Sequence, residues 1–327
     1  MNIRQTPVED SPIENSPNKN SPGKNSAVEV LLESLPYIQK WQGKIVVIKY
    51  GGNAFFIQDK SGKQDNSESK IVDEAKPKSY TDEALVSFAN DMVLLRSVGM
   101  HPVVVHGGGP QIGEMMKKLG KEPSFVNGQR VTDSETLEIA SMVLVGKINK
   151  DIVRAINVLA PVGIGLSGED AGLIKAEALE ESLGYVGNIT DVDSTILTSL
   201  IEKGLIPVVA TIGSDIVGQA YNINADTVAS AIGQALKAEK IIYLTNVQGI
   251  MKNVEDPDSF VGFLSLSQAD EMINHKVISS GMIPKVKACI DAVSNGVNSC
   301  HILDGRVEHS VLIELFTDSG SGTMITK

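Results

Sequence analysis

Two apolar runs that each end in a glycine-rich turn constrain the fold more than any other feature of the sequence. The first, IVVIKYGGNAF, spans residues 45–55, and the second, VVVHGGGP, spans residues 103–110. Near-continuous apolar runs are typical of strands that are buried on both faces of a parallel sheet. Because glycine-rich turns after such strands let backbone N–H groups converge on phosphate oxygens, both runs favour a phosphate-binding α/β protein. The G-x-x-x-x-G-K-[ST] loop of common nucleotide-binding folds does not occur in the sequence.

Composition and charge exclude several classes of protein. The chain has 327 residues, enough for a large core in one domain or in two lobes. Its formal net charge of −11, with no basic tract, argues against a nucleic-acid partner. No apolar run reaches the roughly 18–20 residues of a membrane helix. Since Cys289 and Cys300 are the only cysteines, we expect no disulfide framework and a cytoplasmic location, with a plastid stroma as the alternative.

The first third of the chain contains two polar stretches. Residues 1–25 repeat SPxxN with almost no large apolar side chains, which predicts a disordered tail. Apolar residues at helical spacing then predict an amphipathic helix over 26–41 with Ser26 as its N-cap, either as a covering helix or as an oligomerisation helix. The polar stretch 57–80 predicts a long loop.

Beyond residue 80, helical and strand patterns alternate. Helices are expected near 82–98, 110–119, 133–159, 192–203, 225–237, 266–275 and 284–295, and 167–190 reads as a turn-rich stretch. Strands are expected near 102–106, 162–166, 205–211, 241–245, 299–303 and 311–316. The predicted fold class is therefore α/β, with an open, mostly parallel sheet sandwiched by helices. Ligands bind such sheets beyond the carboxyl ends of the strands, where both glycine turns lie.

Two lysines and one aspartate are the candidates for charged chemistry. Lys49 ends the first apolar strand, where its ammonium could stabilise the charge on a transferring phosphoryl group or could simply reach solvent. Lys285 follows Gly281 and Pro284 at a predicted helix N-terminus, an electrostatically unfavourable place that indicates a role in ligand binding. Asp226 could hold these lysines or contact Mg²⁺ through water, or could be an ordinary N-cap.

Three further segments carry polar side chains that could contact a substrate. Arg130 follows an Asn-Gly turn in FVNGQRVTD and could clamp a carboxylate, although a surface arginine is the commoner explanation. In NINAD (222–226), strand-like geometry would aim the two asparagines and the aspartate in one direction. Thr245 and Asn246 come directly after an apolar strand and could contact the edge of a nucleotide.

The ordered set of IKYGGNA, VVVHGGGP, NGQRVTD, NINAD, LTNVQGI and GMIPK resembles the amino-acid kinase family from about Ser26 to Lys327, interrupted by 57–80. Within that family the chain is similar to an arginine-inhibited, hexameric branch. The resemblance implies ATP-dependent phosphorylation of the γ-carboxylate of N-acetyl-L-glutamate, the second step of arginine biosynthesis. Mg²⁺ would bridge the ATP phosphates without direct ligation by the protein. The resemblance also implies a kinase domain over 42–327, with a substrate-binding lobe at 42–212 and an ATP-binding lobe at 213–327.

The resemblance assigns a role to each matched residue. Lys49 and Lys285 would flank the transferring phosphoryl group, and Asp226 would organise both. Two positions depart from the family's usual pattern, with Asn246 in place of an aspartate and Ser280 in place of a glycine. The matched positions are Gly108, Gly109, Arg130 and Asn222 for the acid substrate; Gly51, Gly52, Gly107, Thr245, Asn246, Gly249 and Gly281 for ATP and its phosphates; and His301, Glu314 and Gly320 for arginine.

Two alternatives stay open beside this assignment. The chain could be another enzyme of the family, such as a carbamate or glutamate kinase, or a catalytically inactive arginine sensor. NGQRVTD together with NINAD favours acetylglutamate, and the presence of Lys49, Asp226 and Lys285 favours catalysis. The expected partners are N-acetyl-L-glutamate, L-arginine as inhibitor, further copies of the chain in a hexamer, and the PII-type nitrogen regulatory protein that phototroph relatives bind.

Overall fold

The computed structural model describes residues 24–51, 83–126, 128–253, 256, 259–278, 281–317 and 320–327. The loop predicted over 57–80 and most of the predicted tail 1–25 lie outside these residues. The chain divides into two compact units, 1–36 and 37–327. None of the described helices is long and apolar enough to cross a membrane.

The elements alternate along the chain much as the sequence pattern predicts. The helices are α1 (Lys24–Trp41), α2 (Glu83–Ser97), α3 (Gly109–Lys118), α4 (Ser134–Ser141), α5 (Asn149–Leu159), α6 (Thr195–Glu202), α7 (Ala225–Ala235), α8 (Leu266–Asn274), α9 (Ile283–Ser294) and α10 (Ser310–Phe316). The strands are β1 (Ile45–Tyr50), β2 (His101–His106), β3 (Phe125–Val126), β4 (Gln129–Arg130), β5 (Gly163–Ser167), β6 (Ile174–Ala178), β7 (Gly187–Val192), β8 (Ile206–Ala210), β9 (Ile212–Ser214), β10 (Ala220–Asn222), β11 (Lys240–Thr245), β12 (Ile250–Met251), β13 (Phe260–Val261), β14 (Phe263–Ser265), β15 (Ser299–Asp304) and β16 (Thr323–Thr326).

An eight-stranded sheet forms the centre of the second unit. Its strand order is β14-β16-β15-β11-β1-β2-β8-β5, and every neighbouring pair is parallel except β15 with β16. The predicted open, mostly parallel sheet is therefore confirmed. Because β11, β1 and β2 are parallel neighbours, their carboxyl ends lie side by side.

The two faces of this sheet bury different apolar clusters. Alternate residues of a strand point to opposite faces, so Val47 packs with Val228 of α7 and Val286 of α9. Ile48 packs on the other face with Phe88 of α2 and Ile152 of α5. Lys49 is two residues from Val47 and therefore lies on the face of the sheet that α7 and α9 cover. Its ammonium can reach only partners on that face.

Three local predictions are wrong. Residues 311–316 form most of helix α10 and not a strand, because their buried positions Val311, Glu314 and Leu315 have helical spacing. The stretch 167–190 contains β6 and the start of β7, which belong to a four-stranded sheet with the order β10-β9-β6-β7. Ser26 lies inside α1, which begins at Lys24, and is therefore not an N-cap.

The long helix predicted over 133–159 contains an irregular middle. Between α4 and α5, residues Met142–Ile148 form a π-helical segment, and the backbone N–H of Asn149 donates to the carbonyl of Leu144, five residues back. Such segments are rare and are frequently found at functional sites. This one carries Leu144 and Ile148 into the core beside the glycine turn after β2.

Candidate active site

A cleft lies at the edge of the sheet where β1 and β2 end. It has a volume of about 540 Å³, and it joins residues that are far apart in sequence. The sequence-predicted residues in its lining are Lys49, Gly107, Gly108, Gly109, Arg130, Asn222, Asp226 and Lys285. The structure therefore brings the predicted catalytic and acid-binding residues together in one cleft.

The start of α7 carries the carboxylate of the site. Asn224 is the N-cap of the helix, and its Oδ1 accepts a hydrogen bond from the backbone N–H of Asp226 at 2.8 Å. Asp226 lies in the first helical turn, where the helix dipole favours a negative charge. The idea that Asp226 is the N-cap is therefore wrong. The predicted strand-like geometry holds for Asn222, which ends β10, and for the extended Asn224, but not for Asp226, which is helical; all three line the cleft.

One buried carboxylate holds both lysines. Lys49 Nζ lies 2.9 Å from Asp226 Oδ1 as an ion pair outside hydrogen-bond alignment, and Lys285 Nζ donates to Asp226 Oδ2 at 3.0 Å. Asp226 is 4% exposed and Lys49 is 7% exposed. The triad thus joins β1, α7 and α9 through charges that are largely withdrawn from water.

The ionisation of Asp226 follows from its two partners. Burial raises the pKa of its carboxyl, but the positive charges of Lys49 and Lys285 outweigh burial and hold the pKa below its ordinary value. The aspartate is therefore ionised at neutral pH. Since the folded-state pKa is lowered, the stabilisation by this charge is present above the ordinary pKa and is lost as the pH falls through the folded-state value.

The glycine turn after β2 presents backbone to the cleft. Gly108 precedes α3, whose first turn contains Gly109 and Pro110. A side chain at Gly108 would overlap Ile148 Cδ1 and Leu144 Cδ2, whereas a Cβ on Gly109 would meet nothing within 4 Å. The turn therefore needs glycine at 108 for packing, and it leaves the N-terminal N–H groups of α3 open to an anion.

Arg130 is fixed at the mouth of the cleft. It pairs with Phe125 across the β3–β4 hairpin, and its guanidinium lies 4.8 Å from the Phe125 ring centroid. Its Nη2 donates to the carbonyl of Gly109 at 2.8 Å, and its Nη1 lies 3.2 Å from Met116 Sδ. Desolvation lowers the pKa of Arg130, but a guanidinium remains charged in proteins. Stacking and a carbonyl contact together aim a planar cation at the turn, as a carboxylate clamp requires.

Of the predicted ATP residues that the structure describes, Gly107 lines the cleft, whereas Gly51, Thr245, Asn246, Gly249 and Gly281 do not. A Cβ on Gly51 would lie 3.2 Å from Lys49 Nζ, so the turn after β1 adjoins that amine. The hydroxyl of Thr245 accepts from the N–H of Val247 at 3.1 Å and shapes the loop that continues through Asn246 and Gly249. Gly281 precedes α9, and Gly52 lies outside the described residues. These nucleotide-binding assignments stay predictions.

The three predicted arginine-binding residues form a separate cluster, in which His301 and Glu314 are buried. Glu314 Oε1 lies 2.6 Å from His301 Nδ1, outside hydrogen-bond alignment, and 3.4 Å from Lys240 Nζ. Glu314 Oε2 accepts from the N–H of Ser321 at 3.0 Å. Gly320 has a φ of +62°, and a Cβ there would lie 2.8 Å from Glu314 Oε2. Burial raises the pKa of Glu314, but His301, Ser321 and Lys240 together lower it to about 2.

Several residues of the lining were missed in the sequence. Thr211 directly follows the last residue of β8, so the expectation that ligands bind beyond the carboxyl ends of the strands could have identified it. Asn188 of β7 was missed because its strand was read as a turn, and Leu144 because nothing in a single sequence marks a π-helical segment.

We expect Asp226→Asn to lower the free energy of unfolding by about 3 kcal/mol at neutral pH, because it leaves two poorly solvated cations without their anion. Adding Lys49→Met to Asp226→Asn should restore part of this loss. Urea denaturation at several pH values measures both effects, and the difference from wild type should shrink as the pH falls below about 4. Asp291→Asn is the control, because the Asp291 carboxylate of α9 accepts hydrogen bonds from uncharged side chains, including Ser230 and Gln234 of α7; its expected loss is about 1 kcal/mol. Equal stability of Asp226→Asn and wild type would contradict the ion-pair account.

Known proteins that are similar to this chain identify its family. An acetylglutamate kinase of Caldanaerobacter subterraneus subsp. tengcongensis is 48% identical over 300 residues, which cover 91% of this chain and 92% of that protein. The solved structure of N-acetylglutamate synthase from Neisseria gonorrhoeae, complexed with coenzyme A and N-acetyl-glutamate, superposes with a TM-score of 0.74 at 25% identity, over 92% of this chain and 63% of that protein. The solved structure of carbamate kinase from Giardia lamblia superposes with a TM-score of 0.60 over 87% of this chain and 99% of that protein. At 17% identity, this similarity shows only that the fold is shared. Residues 44–304 match the amino acid kinase family, and the chain therefore belongs to it.

Proposed function

We propose that the chain is a kinase that transfers the γ-phosphoryl group of ATP to the γ-carboxylate of N-acetyl-L-glutamate, the second step of arginine biosynthesis. The observation that carries this proposal is the pair of lysine ammonium groups held by the buried Asp226 in a cleft that Arg130 and the glycine turn also line. The relative named acetylglutamate kinase, 48% identical, supports the choice of acid.

The residues of the cleft match the needs of this reaction. The substrate carboxylate attacks the γ-phosphorus in line, so that a new O–P bond forms while the bond from phosphorus to the β-phosphate oxygen breaks. No proton moves, because a carboxylate is already ionised at neutral pH. Lys49 and Lys285 stabilise the charge that develops on the phosphoryl oxygens. Arg130 binds the other carboxylate of the substrate, and the glycine turn positions the acid by its backbone N–H groups.

In the proposed reaction, Mg²⁺ enters the site bound to ATP and is not held directly by protein side chains. Both oxygens of Asp226 contact lysines. Mg²⁺ bound to ATP would neutralise the β- and γ-phosphates, and the lysines and glycine N–H groups would bind the remaining phosphate oxygens.

The other readings of the sequence fit the site less well. A carbamate or glutamate kinase would share the triad, but relatives that are 48% identical to this chain are named acetylglutamate kinase. A catalytically inactive sensor has no need of a buried lysine and a partly buried one on the same buried carboxylate, since such an arrangement carries a desolvation cost.

We further propose that arginine inhibits the enzyme at the cluster of His301, Glu314 and Gly320. Glu314 is buried and ionised, and it supplies the anion that a guanidinium pairs with. In the present structure Lys240 occupies this pairing position, 3.4 Å from Glu314 Oε1. Trp41 encloses the cluster, with its ring 4.9 Å from Lys240 Nζ and its Nε1 donating to the carbonyl of Leu315. An incoming guanidinium would share or replace the contact of Lys240.

The proposed assembly is a homohexamer built through the N-terminal helix. Val30, Leu32 and Leu35 of α1 are exposed apolar side chains, as an oligomerisation helix requires. The cytoplasmic location and the PII-type partner stay predictions from the sequence.

A coupled assay with ATP tests the proposed function directly. We expect turnover with N-acetyl-L-glutamate and a kcat/KM at least about tenfold lower with L-glutamate or carbamate, because the site's fixed polar groups would be left without partners. Turnover with one of these other acids but not with N-acetyl-L-glutamate would refute the assignment.

Removing either lysine should slow the chemical step more than it weakens binding. We expect Lys49→Ala and Lys285→Ala each to lower kcat by about 100-fold or more, with a smaller change in the KM for N-acetyl-L-glutamate. Lys287→Ala, an exposed lysine on the same helix as Lys285, is the matched control and should keep the wild-type kcat. A near-normal kcat in either lysine variant would exclude that lysine from transition-state stabilisation.

The arginine site is tested by neutralising its anion. We expect Glu314→Gln to raise the arginine concentration for half-inhibition by about tenfold or more, since a charge-assisted hydrogen bond is lost, while kcat without arginine is retained. Glu308→Gln, an exposed carboxylate just before α10, is the matched control. Unchanged inhibition of a folded Glu314→Gln variant would place the arginine site elsewhere.

A further inference from the structure

A buried polar contact lies on the face of the sheet opposite Lys49, directly behind the glycine turn. His106 ends β2, is fully buried and precedes Gly107. Its Nε2 lies 3.2 Å from Asn149 Nδ2, at the start of α5. The same Nδ2 donates to the carbonyl of Val208 at 2.8 Å and lies 3.3 Å from that of Leu166. One side-chain amide thus joins α5 to three neighbouring strands, β2, β8 and β5.

These contacts define the amide orientation and the histidine tautomer. Two carbonyl oxygens face Asn149 Nδ2, and carbonyls only accept, so the NH₂ group must point at them. His106 Nε2 therefore accepts, and the ring proton resides on Nδ1, which lies 3.3 Å from the carbonyl oxygen of Gly107. Burial lowers the pKa of His106 to about 4, so the ring is neutral and keeps this tautomer.

The π-helical segment explains how Asn149 reaches this position. In an α-helix, residues five apart point about 140° away from each other. The wider π-helical turn places Asn149 and Leu144 on one face, with Ile148 beside them. Leu144 and Ile148 contact the space beneath Gly108, while Asn149 contacts His106. The segment therefore supports the glycine turn at two adjacent points.

Asn149 also carries a cost in stability. Within the part of the chain that the structure describes, no donor reaches its buried Oδ1. Gly165 of β5 leaves the room for this amide, because a Cβ there would overlap Asn149 Oδ1. A buried amide oxygen without a partner is unfavourable. Its presence behind the glycine turn points to a role other than stability.

We propose that Asn149 is a positioning residue that acts through His106 on the glycine turn. The carbonyl of Gly107 and the N–H of Gly108 belong to one planar peptide group and point in opposite directions. When His106 Nδ1 holds the Gly107 carbonyl on the buried side, the Gly108 N–H is aimed towards the cleft. The inference rests on the proposed function, because this N–H is one of the groups expected to bind the acid substrate.

The test compares Asn149→Ala with Asn157→Ala. Asn157 lies on the same helix and also bonds β5, donating to the Gly163 carbonyl at 3.0 Å and accepting from the Gly163 N–H at 2.7 Å. We expect Asn149→Ala to lower kcat/KM for N-acetyl-L-glutamate by about 10- to 100-fold, since a small displacement of a positioning group is enough. The KM for ATP should change much less. Asn157→Ala should keep the wild-type kcat/KM even where it lowers the melting temperature.

A double-mutant cycle separates positioning from general loss of stability. His106→Leu should reduce kcat/KM as Asn149→Ala does, and the double variant should lose little more, because both act through one contact. His106→Leu keeps the hydrogen bonds of Asn149 to the carbonyls of Leu166 and Val208. It therefore tests the proposal even if Asn149→Ala does not fold. Additive losses, or an Asn149→Ala variant that matches Asn157→Ala in kcat/KM, would overturn the proposal. Turnover of the wild-type enzyme with N-acetyl-L-glutamate tests the proposed function separately. If the wild type turns over another acid instead, kcat/KM of the same variants is compared on that acid.

Discussion

The carboxylate of Asp226 is the interaction on which the rest of the site depends. It lies at the start of α7, ion-paired with Lys49 from β1 and hydrogen-bonded to Lys285 from α9. Without it, two cations withdrawn from water would repel each other at the floor of the cleft. With it, the triad keeps a net charge of +1, which is stable without a ligand and still attracts phosphate. One buried anion thus stabilises two lysines in the folded protein and still leaves a net positive charge for the proposed phosphate binding.

The sheet divides the functional elements between its two faces. Lys49 shares the face of α7 and α9 because it is two residues from Val47, and its charge lies there. His106 shares the face of Val104 and α5, where its contacts are polar but neutral. Both strands end at the same edge. In the proposed site, charged groups would therefore contact the ligand from one side of the sheet, while uncharged groups would hold the backbone turn from the other.

Much of this arrangement is encoded in patterns that a single sequence displays. The apolar runs before Lys49 and Gly107 predicted parallel strands with a ligand site at their carboxyl ends. The structure confirms the mostly parallel sheet, and it brings the predicted acid-binding residues together in one cleft. The helix 310–316 was missed because Val311 and Ile313 favour strands locally. In the structure, Val311, Glu314 and Leu315 are buried together, a spacing that only a helix provides. The contact between His106 and Asn149 joins residues 43 apart, and no local propensity reports such packing.

Geometry, and not proton transfer, is what this site has to control. The pKa values of the Asp226 carboxyl and the His106 imidazole are both lowered, so neither changes its protonation near neutral pH. A carboxylate nucleophile needs no base, and in the proposed reaction the developing charge would meet two lysine cations that are already in place. The remaining variable is the position of the acid relative to the phosphoryl group, which a backbone turn of three glycines would not fix by itself. The contacts that hold this turn from below, Ile148 and His106, are therefore as much a part of the site as the lysines.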